Sequence, residues 1–132
     1  VKLLLDTHAV LWWLGDDERI GTKARDLIGD PENEVLISIV SLWEIVVKQR
    51  IGKLAAEIKE ILDEVERQRL TLLDITATHL LALAALPTLH RDPFDHLLIA
   101  QAMAEGAIFV SEDRRARRYA VQTVTCSDAG TH

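Results

Sequence analysis

The chain has 132 residues, 48% of them hydrophobic and 27% charged, which suits a single globular domain over residues 1–132 and leaves no room for a separate second one. Its net charge of −6 excludes a protein that coats nucleic acid by bulk electrostatics, although local contact stays open. No uninterrupted apolar run approaches the ~18 residues that span a bilayer, Cys126 is the sole cysteine and rules out an intrachain disulfide, and the start lacks a basic, apolar and cleavable leader, so a cytoplasmic location without membrane contact is expected.

Leu3 to Asp6 reads as a short buried strand, followed by a helix through Val10 and Trp13 that ends near Gly15. A second helix is predicted from about Thr22 to Ile28, and Asp30-Pro31-Glu32-Asn33 forms the turn into a strand from Val35 to Ser38. Ser41 is expected to open a helix to Ile51, with Gly52 as the left-handed residue that closes it. Ile58, Ile61, Leu62 and Val65 fall at i, i+3, i+4 and i+7, the pattern of an amphipathic helix.

Thr71 to Ile75 reads as an extended segment, and Ala77 to Leu86 as a helix apolar nearly all round, hence buried, stopped by Pro87. Pro93 fits the first turn of a further helix that closes at Gly106. Ala107 to Val110 is a strand, Asp113 begins a short turn or helix, and Val121 to Val124 is the last strand. Strands alternating with helices predict an α/β fold: a mostly parallel sheet flanked by helices on both faces.

Four acids carry the functional reading. Asp6, Glu44 and Asp113 follow strand-like runs, and Asp95 opens a strongly apolar helix, so parallel packing brings all four to one edge of the sheet. Open α/β sheets bind ligands at that edge. Each acid also has a structural role available. Asp6 can cap a helix, Glu44 can complete a capping box with Ser41 or pair with Lys48, Asp95 can answer a helix dipole, and Asp113 can serve a turn. Capping requires no relation among the four, whereas metal binding requires them to converge. Clustered carboxylates repel one another unless a cation lies among them, and hard cations such as Mg2+ or Mn2+ prefer carboxylate oxygens.

The segments Leu5-Asp6-Thr7-His8-Ala9-Val10-Leu11-Trp12, Ile37 to Ile45, His90-Arg91-Asp92-Pro93-Phe94-Asp95-His96 through Ala100, and Val110-Ser111-Glu112-Asp113 together resemble a PIN domain. Within that superfamily the chain is similar to the ribonuclease toxins of VapBC toxin-antitoxin pairs. The resemblance covers nearly the whole chain and implies a metal-dependent endoribonuclease, with Asp6, Glu44, Asp95 and Asp113 as the acidic set around Mg2+ or Mn2+ and products carrying a 5′-phosphate and a 3′-hydroxyl. It departs from the family at His96, where arginine is common, and at Glu112, where a basic residue is common. Thr7 and Ser111 are expected to orient carboxylates or water. Asp92 is expected to cap its helix, His8 and His90 are either substrate contacts or structural histidines, and Arg91, Arg114 and Arg115 are the candidates for RNA phosphate contacts.

Two other enzyme classes fit less well. A phospho-receiver domain needs a lysine late in the chain, and none follows Lys59. Haloacid-dehalogenase-like phosphatases need a second aspartate two positions after the first, where His8 stands. The alternative outside enzymology is a catalytically inactive PIN-like RNA-binding or scaffold domain. Trp12, Trp13 and Trp43 either fill the core or serve a partner. The helices ending at Ile51 and running through Ile58 to Val65 are expected to frame an apolar groove. By resemblance that groove would take a VapB-type antitoxin, while two chains pair as a homodimer through other helices.

Overall fold

In the computed structural model, which describes residues 1–128, five parallel strands stand in the order β3-β2-β1-β4-β5. They are β1 (Lys2–Leu5), β2 (Glu34–Ser38), β3 (Thr71–Leu73), β4 (Ile108–Val110) and β5 (Thr123–Val124). The helices are α1 (Thr7–Leu14), α2 (Thr22–Gly29), α3 (Ile39–Arg50), α4 (Ile58–Arg67), α5 (Ala77–Ala85) and α6 (Pro93–Glu105), with a short 3₁₀ turn at Arg114–Arg118. Residues 129–132 of the expected domain lie outside the described set. β1 is central, with Leu3 beside Val35 of β2 and Leu5 beside Val110 of β4.

Alternation along the strands divides the core between the two faces of the sheet. Leu3 and Leu5 of β1 pack with Val35, Ile37, Val10, Ile28, Ile45 and Ile61 on one side. Leu4 joins Leu36, Phe109, Leu98, Ile99 and Tyr119 on the other. The predicted mostly parallel sheet covered on both faces is what forms. Between β1 and β4 the strand order reverses, and this opens a crevice beyond the carboxyl ends of the strands.

Three local expectations change. The helix expected from Ser41 starts at Ile39, because Ser38 caps it by accepting the Val40 N–H at 2.9 Å. Ser41 therefore sits inside α3, and the Ser41–Glu44 capping box does not form. The last strand is shorter than Val121–Val124 and covers Thr123–Val124. The helix expected to be buried, α5, is largely exposed, with Leu80 at 51% and Leu81 at 72%. It is anchored at His79, fully buried, whose Nδ1 accepts from Thr76 N and whose Nε2 donates to Glu105 of α6 at 2.9 Å.

Other predicted punctuation holds. Gly52 and Gly106 adopt positive φ of 75° and 63° where α3 and α6 end, a conformation that costs glycine little. The tryptophans divide: Trp12 and Trp13 are half-buried, while Trp43 is 54% exposed and meets Phe94 edge to face at 4.8 Å. Trp13 donates its indole N–H to Gln68 at 2.8 Å. No helix among the described residues is long and apolar enough to cross a membrane.

Candidate metal-binding active site

A cavity of about 300 Å3 opens at the carboxyl end of the sheet and is lined by Asp6, Glu44, Asp95 and Asp113, together with Thr7, His8, Lys48, Asp92, Glu112 and Arg115. Each acid arrives from a different element. Asp6 ends β1 and caps α1, accepting the Ala9 N–H at 2.8 Å through Oδ1. Its other oxygen accepts the Ser111 hydroxyl at 2.7 Å. Capping and pocket lining thus coexist in one side chain, because a carboxylate has two oxygens to offer.

Glu44 reaches the cavity from the second turn of α3 and is 4% exposed. Thr7 donates to its Oε1 at 2.5 Å, Lys48 donates to Oε2 at 2.6 Å, and the Thr7 oxygen also lies 3.2 Å from Ser41 Oγ. Thr7 and Ser111 therefore touch Glu44 and Asp6 respectively. The sequence predicts Lys48 only as a partner of Glu44. Its i, i+4 spacing signalled the pair, but not that the pair lines a cavity.

Asp95 stands in the first turn of α6, whose cap is Asp92, accepting from Phe94 N at 3.0 Å and Asp95 N at 3.2 Å. Asp92 is thus a helix cap that also lines the cavity. Asp113 caps the 3₁₀ turn and holds Arg115 through Nε at 3.1 Å and Nη2 at 3.0 Å.

The electrostatics record the crowding. Burial pushes the Asp6 carboxyl above its ordinary range, against the Ala9 N–H and Ser111 hydroxyl that favour its anion. Burial, with the charges of Asp92, Asp6, Glu44 and Asp113, pushes Asp95 up to about 8. Burial also opposes ionisation of Asp113, but the Arg115 hydrogen bonds hold it below the usual carboxylate range. Lys48 is held above its ordinary range by its hydrogen bond to Glu44. A site in which burial and four neighbouring acids disfavour the anion of Asp95 is short of positive charge, and oxygen-rich donor sets of this kind suit a hard divalent cation.

A family model, the PIN domain, matches residues 3–122. The chain belongs to the PIN-domain family. A curated relative, Ribonuclease VapC22 of Mycobacterium tuberculosis (strain ATCC 25618 / H37Rv), is 28% identical over 120 residues, covering 89% of this chain and 91% of that protein. Among solved structures, VapBC2 from Rickettsia felis, bound to a DNA fragment from the promoter, superposes with a TM-score of 0.71 at 18% identity, covering 95% of this chain and 98% of the matched one. DNA-bound VapBC from Salmonella typhimurium gives 0.67 at 17% identity with the same coverage. At these identities the likeness is one of fold.

Of the arginines singled out in this PIN domain, Arg115 lines the cavity, whereas Arg91 and Arg114 are exposed and lie outside its lining. His8 is exposed at the rim. His90 is buried behind Asp95, with Nδ1 2.8 Å from the Tyr119 hydroxyl. Tyr119 carried no sequence signal, because a tyrosine after an arginine run looks like any other until the chain folds. His96 of α6 stacks edge to face on His90 at 4.6 Å and lies outside the cavity lining. Glu112 receives Ser127 N at 3.1 Å, which ties the described end of the chain to the site.

Proposed function

We propose that this chain is a divalent-metal-dependent endoribonuclease acting as the toxin of a type II toxin-antitoxin pair, with Asp6, Glu44, Asp95 and Asp113 as its metal-binding catalytic set. The observation that carries the reading is the convergence of these four carboxylates on one cavity at the switch point of the sheet, in a PIN domain related to a ribonuclease. The fit to Mg2+ or Mn2+ rests on the donor set, four carboxylates with room for water, which is the chemistry such ions prefer. A bound ion would supply a Lewis acid for a phosphate oxygen and a water of lowered pKa for in-line attack.

The chain's own groups then have distinct tasks. Asp6 is fixed by Ala9 N and Ser111, and Glu44 by Thr7 and Lys48, so both present a preset oxygen to the cavity. Asp95, whose anion is disfavoured by burial and by its acidic neighbours, would bind a cation as the carboxylate and release its proton. Arg115, exposed on one side and paired with Asp113 on the other, is placed to meet a phosphate at the rim, and Arg91 and Arg114 extend positive charge beyond it. No covalent protein intermediate is required.

Partners follow from two surfaces. A groove of about 220 Å3 is lined by Leu11, Leu14, Gly15, Ala56, Ile61 and Glu64, among others. It is framed by α1 and α4, and not by the end of α3 as the sequence suggested. It would take the apolar segment of a VapB-type antitoxin, and the exposed leucines of α5 would pair two chains as a homodimer. A cytoplasmic location goes with this role.

The decisive experiment incubates purified protein with total cellular RNA. Cleavage should require Mg2+ or Mn2+, stop with EDTA, and fall by about a hundredfold or more in Asp6→Asn and Asp95→Asn, as expected when a charge that organises the metal is lost. Equal RNA survival with wild type and Asp6→Asn under those conditions would instead favour a catalytically inactive RNA-binding or scaffold domain.

A further inference from the structure

We propose that His90 joins Asp95 and Asp113 as a nitrogen ligand, so that this pocket selects a first-row transition ion over Mg2+. The inference rests on the preceding reading that the cavity binds a divalent cation, and adds which ion it prefers and by which atom.

The starting observation is an orphaned atom. His90 is 8% exposed, and its Nε2, like that of the stacked His96, is buried without a hydrogen-bond partner; of the two, it is the His90 ring that lies within ligand distance of the acids. Buried ring nitrogens are normally satisfied, because leaving one unpaired costs about 1–3 kcal/mol. This nitrogen points toward the acids, 3.7 Å from Asp95 Oδ2, beyond hydrogen-bond reach. One ligand atom each from His90, Asp95 and Asp113 lies within 4.8 Å of the others. Two ligands at ~2 Å from a shared ion stand ~3–4 Å apart, so modest side-chain closure would bring all three onto one cation.

The other side of the ring supports that use. Nδ1 lies 2.8 Å from the Tyr119 hydroxyl oxygen, which also accepts the Leu89 N–H at 3.0 Å. A phenol oxygen has two lone pairs, so in the tautomer that donates Nδ1–H into the second, the ring presents a free lone pair at Nε2. Metal-bound imidazoles are commonly oriented in this way by a partner at the far nitrogen. Without a cation this nitrogen has no partner; with one, it is a third ligand. Mg2+ favours oxygen donors, whereas imidazole suits the later first-row ions, whose affinity rises from Mn2+ toward Cu2+.

The test titrates the full chain, without RNA, with Co2+ and with Mg2+ by calorimetry. Wild type should bind Co2+ at least about tenfold more tightly than Mg2+, and His90→Gln should lose at least about tenfold in Co2+ affinity while Mg2+ affinity holds. Pulsed EPR of Mn2+-loaded wild type bearing 15N-histidine should show a directly coupled imidazole nitrogen. That coupling should persist both in His96→Gln, the neighbouring ring, and in His8→Gln, the ring at the rim of the cavity. The EPR arm stands even if His90→Gln fails to fold. Absence of nitrogen coupling in wild type, or equal Co2+ affinity in His90→Gln, overturns the proposal while leaving the acidic site intact if Asp95→Asn still abolishes binding. Wild type that binds neither ion overturns both.

Discussion

Asp95 is the residue on which the charge balance of the site turns. Burial and four neighbouring acids raise its pKa in the folded state to about 8, far above the unfolded value of 3.8. A raised acid binds its proton more tightly when folded, so the metal-free protein loses stability as pH climbs from about 4 to about 8 and levels off above that. Asp95→Asn removes the penalty: in EDTA at pH 8.5 its melting temperature should exceed that of wild type by on the order of 5 °C, and the difference should vanish near pH 4. Adding Mn2+ should reverse the order, since only wild type can use the charge. A variant no more stable than wild type at high pH would show that Asp95 is not held protonated. Cys126 is also pushed up, to about 12 by burial, and its thiol should resist disulfide reagents at pH 8 until denaturant is added.

At the scale of elements, the join between β2 and α3 does more than turn the chain. Ser38 is fully buried, accepts the Val40 N–H and donates to Gln101 Oε1 of α6 at 2.5 Å. One hydroxyl thus caps α3 and ties it to α6, the helices that carry Glu44 and Asp95. Ser38→Ala should cost about 2 kcal/mol in urea denaturation, from the lost cap and an unpaired buried amide oxygen. A loss below about 0.5 kcal/mol would mean that Gln101 finds another donor. The sequence assigned the cap to Ser41, three residues later, because Ser41 and Glu44 match a capping pattern. What decided otherwise is the strand: Ser38 ends β2 beside Leu73 of β3, and the chain must turn there.

At the scale of the molecule, α5 is a helix whose composition and position disagree. Leu80 and Leu81 are exposed, as are Leu72 and Ile75. Large apolar patches on a surface mark contacts with partners. In the proposed homodimer these residues are buried, so light scattering should give twice the chain mass, and Leu80→Glu with Leu81→Glu should halve it while the far-ultraviolet spectrum stays native. The groove between α1 and α4 is a separate surface. Co-expression with an adjacent antitoxin reading frame should yield a complex in which RNA cleavage is suppressed. A glutamate at Ile61 would destabilise the core as well as the groove, so Leu14→Glu is the cleaner probe of docking, with loss of complex as its outcome.

The sequence by itself determined the alternation of strands and helices, the ends of α3 and α6 at Gly52 and Gly106, and the four acids that reach one edge. These are local facts: apolar runs, glycines at positive φ, and acids that follow strands, with parallel connectivity doing the rest. Only the tertiary structure decided that α5 is exposed, that Ser38 and not Ser41 caps α3, that Lys48 lines the cavity, and that Tyr119 stands behind His90. Each of these depends on which surfaces meet across the sheet. An apolar helix carries the same sequence signal whether it covers a core or waits for a second chain, and a hydroxyl or a ring acquires its partner only when distant segments, 29 residues apart for His90 and Tyr119, are packed together.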